Sequence, residues 1–218
     1  MLKFIETLKN IWTIDELKNR ILITLFFLII YRLAAQVVLP GVDYNIISEA
    51  QIAGGGGLLG LLNAFTGGAF ANASVVALGI MPYISASIVV QLMGVALPYL
   101  QKLQKEGESG RKKITQITRW LTIAICVVQA PAYLYGLGAL GVPDAAFVLG
   151  KGPFFIIPSV IILVTGCIFA MWLGEKITDK GIGNGISLLI MVGIIATLPQ
   201  SFLQEYAARV TESNGGLI

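Results

Sequence analysis

The chain has 218 residues, of which 56% are hydrophobic and 12% charged, with a mean hydropathy of +0.82 and a net charge of +3. So apolar a composition leaves too little polar surface to cover a soluble globule of this size, and it points to an integral membrane protein. The complete lack of histidine removes imidazole metal sites, Ser-His triads and imidazole proton shuttles.

In chain order, Leu2, Ile5, Leu8, Ile11 and Trp12 recur at helical spacing among Lys and Glu, which predicts an interfacial amphipathic helix over residues 1–20. The apolar run ILITLFFLII behind this basic leader has the look of a signal peptide. The leader is too long for one, however, Arg32 interrupts the run, and further spans follow. A first span is predicted near residues 21–39.

Residues 50–101 carry no Asp, Glu, Lys or Arg, a run more than twice the roughly 20 residues that one membrane-crossing helix needs. Its first part is rich in glycine and its second, 75–100, is continuously apolar, so it divides into a short element and a second span. Irregular backbone at membrane depth survives only inside protein or beside a water-filled cavity. The short element therefore implies a cavity, and a cavity implies transport. Three more spans are predicted near 119–140, 154–174 and 185–203, separated by a basic loop over 101–119 and a second loop over 175–184. The bundle occupies 21–203, and charges return in a segment over 204–218.

Lys3, Lys9, Lys18 and Arg20 precede the first span, Lys102, Lys105, Arg111, Lys112, Lys113 and Arg119 lie between the second and third, and Lys176 and Lys180 between the fourth and fifth. The opposite side holds only Lys151 and Arg209. Basic residues near span ends stay in the cytoplasm, so the N-terminus is expected there and the C-terminus outside. Cys126 and Cys167 fall inside spans and are expected to act as small apolar packing residues.

Other chemistry is sparse. Gly107–Lys113 resembles a phosphate loop but lacks the Gly-Lys-Ser/Thr step, and Gly181–Gly185 departs from the dinucleotide pattern and opens a span. No Asp or Glu lies well inside a span to relay protons. No catalytic residue, metal site or cofactor is expected, and neither an enzyme nor a proton-coupled carrier fits.

Three segments, Ala77–Ser87 (ALGIMPYISAS) through Gln91, Lys105–Lys113 (KEGESGRKK) and Trp172–Ser187 (WLGEKITDKGIGNGIS), together resemble the SecY protein-conducting channel family. Tyr31-Arg32, Leu39–Asp43 and Phe65–Gly68 fit the same pattern, so the resemblance runs over essentially the whole chain. It implies an all-α integral membrane fold whose five transmembrane helices form the N-terminal half of an inverted-repeat, ten-helix channel, with a short plug helix.

By spacing alone, Ile80 and Ile84, like Ile186 and Ile190, are pairs on one helix face and read as packing or lipid-facing residues. The resemblance makes the four a pore ring, an apolar waist around a translocating peptide. It makes Gly57, Leu58, Leu59, Gly60, Leu61, Leu62, Asn63, Ala64, Phe65, Thr66, Gly67, Gly68, Ala69 and Phe70 a plug beneath that ring. Ser85, Ser87, Gln91 and Gln129 become a lateral gate toward lipid, with interior helix glue as the plainer reading. Pro82 is expected to kink the second span.

The implied function is central pore subunit of a bacterial inner-membrane Sec translocase, passing unfolded secretory polypeptides across and releasing transmembrane segments into membrane lipid. The implied partners are the C-terminal half of the channel, SecE and SecG, and the SecA ATPase or a ribosome. The basic loop 101–119 is given at most an auxiliary contact. Half of a secondary transporter with discontinuous helices is the alternative, and a passive assembly or insertase factor a third reading. A second half of similar span number is expected after Ile218 or on a separate polypeptide, and the chain alone is expected not to conduct.

Overall fold

A computed structural model describes residues 14–43, 46–47, 63, 65–137, 143, 146–147, 150 and 152–211. The expected amphipathic helix, apart from its last residues, and much of the expected plug lie outside them, as does the end of the segment 204–218. Among the described residues six helices carry the architecture: α1 (Asp15–Gln36), α2 (Met81–Ala96), α3 (Pro98–Lys105), α4 (Glu108–Gly136), α5 (Pro153–Lys180) and α6 (Gly185–Thr211). The pairings outside helices among the described residues are two isolated bridges, Val38 with Ser74 and Val42 with Phe147.

Each helix starts where its residues allow. Asp15 and Glu16 place negative charge in the first turn of α1, where the backbone dipole favours it. Pro82, Pro98 and Pro153 sit in the first turns of α2, α3 and α5, where a missing N–H costs nothing. Pro82 thus opens α2, and the expected kink inside span two does not form there. The bend is at Leu97, whose extended backbone ahead of Pro98 turns α3 by 100° from α2.

The stretch expected as a basic loop, 101–119, is helical except at Glu106-Gly107, because Gly107 takes the left-handed φ of +71° that reverses the chain between α3 and α4. The loop expected over 175–184 is helical to Lys180, and the segment after 203 continues as helix to Thr211. Charge patterning marks which side of the membrane a residue occupies and leaves its backbone free to be helical.

Among the described residues two helices, α4 and α5, are each long and apolar enough to cross a membrane, and the bent pair α2–α3 makes up to three, where five spans were expected. The apolar part of α6, Gly185–Pro199, is shorter. On α1, Leu22, Phe26, Ile29 and Leu33 are exposed, while the buried positions are Thr24, Tyr31 and Ala35. Large apolar residues outside and small or polar ones inside reverse the soluble pattern and suit a helix with lipid on one side.

α5 is the hub, packing against α1, α4 and α6, while α2 lies along α4. The buried face of α2 is a four-residue repeat of small or compact residues, Pro82, Ala86, Val90 and Gly94, and that of α4 includes Thr118, Thr122, Cys126 and Ala130. The buried threonines donate to their own helix, Thr118 to Ile114 O at 3.0 Å and Thr122 to Thr118 O at 2.8 Å, so neither hydroxyl is left without an acceptor. Cys126 and Cys167 are free and buried, as the packing role requires.

Candidate functional site: an apolar cavity walled by a glycine turn

Beyond α1 the chain leaves helix and runs back along residues 73–75, with Leu39 N–H donating to Ala73 O at 2.9 Å and Val75 N–H to Val37 O at 2.8 Å. These bonds fix the approach to α2, so Ile80 sits buried at its N-cap with Ile84 one turn on. Across from them α6 brings Ile190, and α1 brings Tyr31. The result is a cavity of about 240 Å³ lined by Tyr31, Phe65, Thr66, Ile80, Met81, Ile84 and Ile190. Its walls are chiefly hydrocarbon, and no lining residue carries a charge. Apolar walls of this kind offer water and ions few polar partners, which is the chemistry by which a hydrophobic constriction dewets.

Three of the four isoleucines singled out for the ring, Ile80, Ile84 and Ile190, therefore meet at one cavity. Ile186 does not line it. It packs on α5, where a Cβ on Gly174 would stand 2.9 Å from its Cγ1.

Of the plug positions, residues 57–62 and 64 lie outside the described residues. The rest form a compact turn. Thr66 donates to Asn63 O at 3.1 Å and its oxygen accepts from Phe70 N–H at 3.1 Å, while Asn63 Oδ1 accepts from Ala71 N–H at 3.0 Å. Gly67 and Gly68 have φ of +65° and +89°, a region where a side chain would be strained. Phe65 and Thr66 from this turn form one wall of the cavity.

The turn is tied to three helices. Arg32 of α1 donates to Gly67 O, Tyr133 of α4 donates to Phe70 O at 2.7 Å with its ring edge-on to Phe70 at 4.9 Å, and Gly193 of α6 lies against Phe65 and Gly67. Sequence reasoning gave no site role to Tyr133 and Gly193, nor to Tyr31, Arg32 and Met81, which it used as part of the family pattern. One signal was present: Arg32 is a charge within an otherwise apolar run, and such a residue has a partner inside the protein.

The four gate candidates are placed differently. Ser85, Gln91 and Gln129 are exposed and Ser87 half-buried. Ser85 donates to Met81 O at 3.2 Å and Gln91 to Ser87 Oγ at 3.2 Å, both within α2. Among the described residues no hydrogen bond from these four joins α2 to α4; the small buried stripe does that by packing.

A sequence model of the SecY family matches residues 74–217. The chain is 45% identical over 189 residues to a protein translocase subunit SecY of Haemophilus influenzae, covering 87% of this chain and 42% of that protein. It is 45% identical over 193 residues to the Pseudomonas aeruginosa protein of the same name, with 88% and 42% covered. For the Escherichia coli K12 protein of that name the identity is 44% over 186 residues, with 85% and 42% covered. The matched region thus spans less than half the length of these relatives.

Proposed function

The chain belongs to the SecY family, and from that premise we propose that it supplies the N-terminal half of the pore of a Sec-type translocase, conducting unfolded secretory polypeptides and releasing transmembrane segments sideways into lipid. The observation that carries this reading is the cavity in which Ile80, Ile84 and Ile190 face Phe65 and Thr66. An aliphatic constriction bars ions by dewetting, and its side chains have no sequence preference toward a peptide that displaces them.

In this proposal Ile80, Ile84, Ile186 and Ile190 form the half-ring contributed by this chain and residues 57–70 the plug. The exposed Ser85, Gln91 and Gln129 and the half-buried Ser87 face the C-terminal half at the gate. SecE and SecG, the SecA ATPase or a ribosome, and the nascent chain are the partners, and the membrane is the bacterial inner membrane with the N-terminus cytoplasmic. The cavity argues against a secondary transporter, since its only side-chain polar groups are the hydroxyls of Tyr31 and Thr66.

The test is electrical. Ile84→Asn with Ile190→Asn, introduced into the complete channel in planar bilayers, should hydrate the constriction and raise resting ion conductance above that of the unaltered channel. Background conductance in the assembled double variant would overturn the ring.

A further inference from the structure

From Ile21 to Ala35, α1 carries one ionised side chain, Arg32. A guanidinium at such a position is costly unless a protein group receives it. Its Nη1 donates to Gly67 O, the carbonyl of the turn that walls the cavity. The fit there is close on both sides. A Cβ on Gly67 would stand 2.8 Å from Arg32 Nη1 and 2.9 Å from Gly193 Cα, and one on Gly193 would stand 2.8 Å from Phe65 O. The turn is thus held between a guanidinium on the first helix and bare backbone on the sixth.

We propose that Arg32 is a positioning residue for the closed state: by holding the Gly67 carbonyl it keeps Phe65 and Thr66 seated across from Ile80, Ile84 and Ile190. The inference rests on the channel reading and adds to it a specific restraint. A charge-assisted hydrogen bond in a low-dielectric setting is strong enough to hold a glycine turn, and a single bond is few enough to break when a peptide pushes in. Gly193 supplies the clearance that lets the turn approach α6.

The test uses the complete translocase in planar bilayers. Arg32→Met removes the donor and should raise resting conductance about tenfold, the factor expected when a charge-assisted bond is lost. Arg32→Lys keeps a cationic donor and should fall between Met and the unaltered protein, a graded rescue that a merely structural role would not produce. Gly193→Ala pushes the same turn from its other side with Arg32 intact and should leak as well, so it decides the matter where Arg32→Met does not assemble. Variants at Arg32 and Gly193 that stay tight while the double variant Ile84→Asn with Ile190→Asn leaks would overturn the inference and leave the channel standing. If the double variant Ile84→Asn with Ile190→Asn is also tight, the channel reading falls and the inference with it.

Discussion

Tyr133 shows how much one hydroxyl contributes to the turn. Its ring packs edge-on against Phe70 and its O–H reaches Phe70 O at 2.7 Å, so Tyr133→Phe removes the bond and leaves the ring contact. A neutral hydrogen bond contributes about 1 kcal/mol net, roughly a fivefold change in a local opening equilibrium. Amide exchange of residues 66–71 should therefore speed up about fivefold in the variant; unchanged exchange would mean the hydroxyl holds nothing. Little of this was legible in the sequence. Ile80, Ile84 and Ile190, which line one cavity, were singled out with Ile186 through the resemblance, whereas spacing alone made all four packing or lipid-facing residues. A four-residue step names a helix face and leaves open which neighbour that face meets, and here Ile186 lies against Gly174 of α5. Tyr133 and Gly193 were missed since their partners are backbone groups, which leave no trace in residue type.

At the scale of elements, backbone proximity decides which glycines matter. A Cβ on Gly166 of α5 would stand 2.0 Å from Val75 O, whereas one on Gly136 at the end of α4 would meet nothing within 4 Å. Gly166→Ala must drive α5 away from the segment that leads into α2, and overpacking of that kind costs about 1–3 kcal/mol. Gly136→Ala should be neutral or slightly stabilising, because Ala is the better helix former. Thermal melting of the solubilised protein separates the two, and equal shifts would contradict the close approach. The helices themselves were largely readable. Charge-free runs located the apolar segments of α1, α2, α4, α5 and α6, although among the described residues only α4, α5 and the bent pair α2–α3 are long and apolar enough to span a membrane. Beyond those segments the reading stopped short: α3 and the first turns of α4 are helical and rich in Lys and Arg. Their faces are polar enough that no apolar run betrays them.

Across the whole molecule, hydrogen bonds gather the basic segments at one end. Arg119 at the basic start of α4 makes a two-pronged pair with Glu175 near the end of α5, its Nε 2.9 Å from Oε1. Arg20 near the start of α1 points at Gly181 O at 3.5 Å, and Ile182 N–H donates to Thr24 Oγ1 at 3.1 Å. The chain's three basic clusters, read from sequence as lying on one side, thus share an end in space, where the half-buried Glu175 carboxylate receives Arg119 from the neighbouring helix. Lys and Arg near span ends are held in the cytoplasm, so this end should face inward and the connection between α4 and α5 outward. Cysteines placed singly at Ser109, in the basic end, and at exposed Pro143, in that connection, would report it in a background with Cys126 and Cys167 replaced by Ala. A membrane-impermeant thiol reagent added outside intact bacterial spheroplasts should label the cysteine at 143 and spare the one at 109 until the membrane is opened. Labelling of 109 from outside would invert the orientation, and labelling of both would deny that α4 crosses the membrane at all.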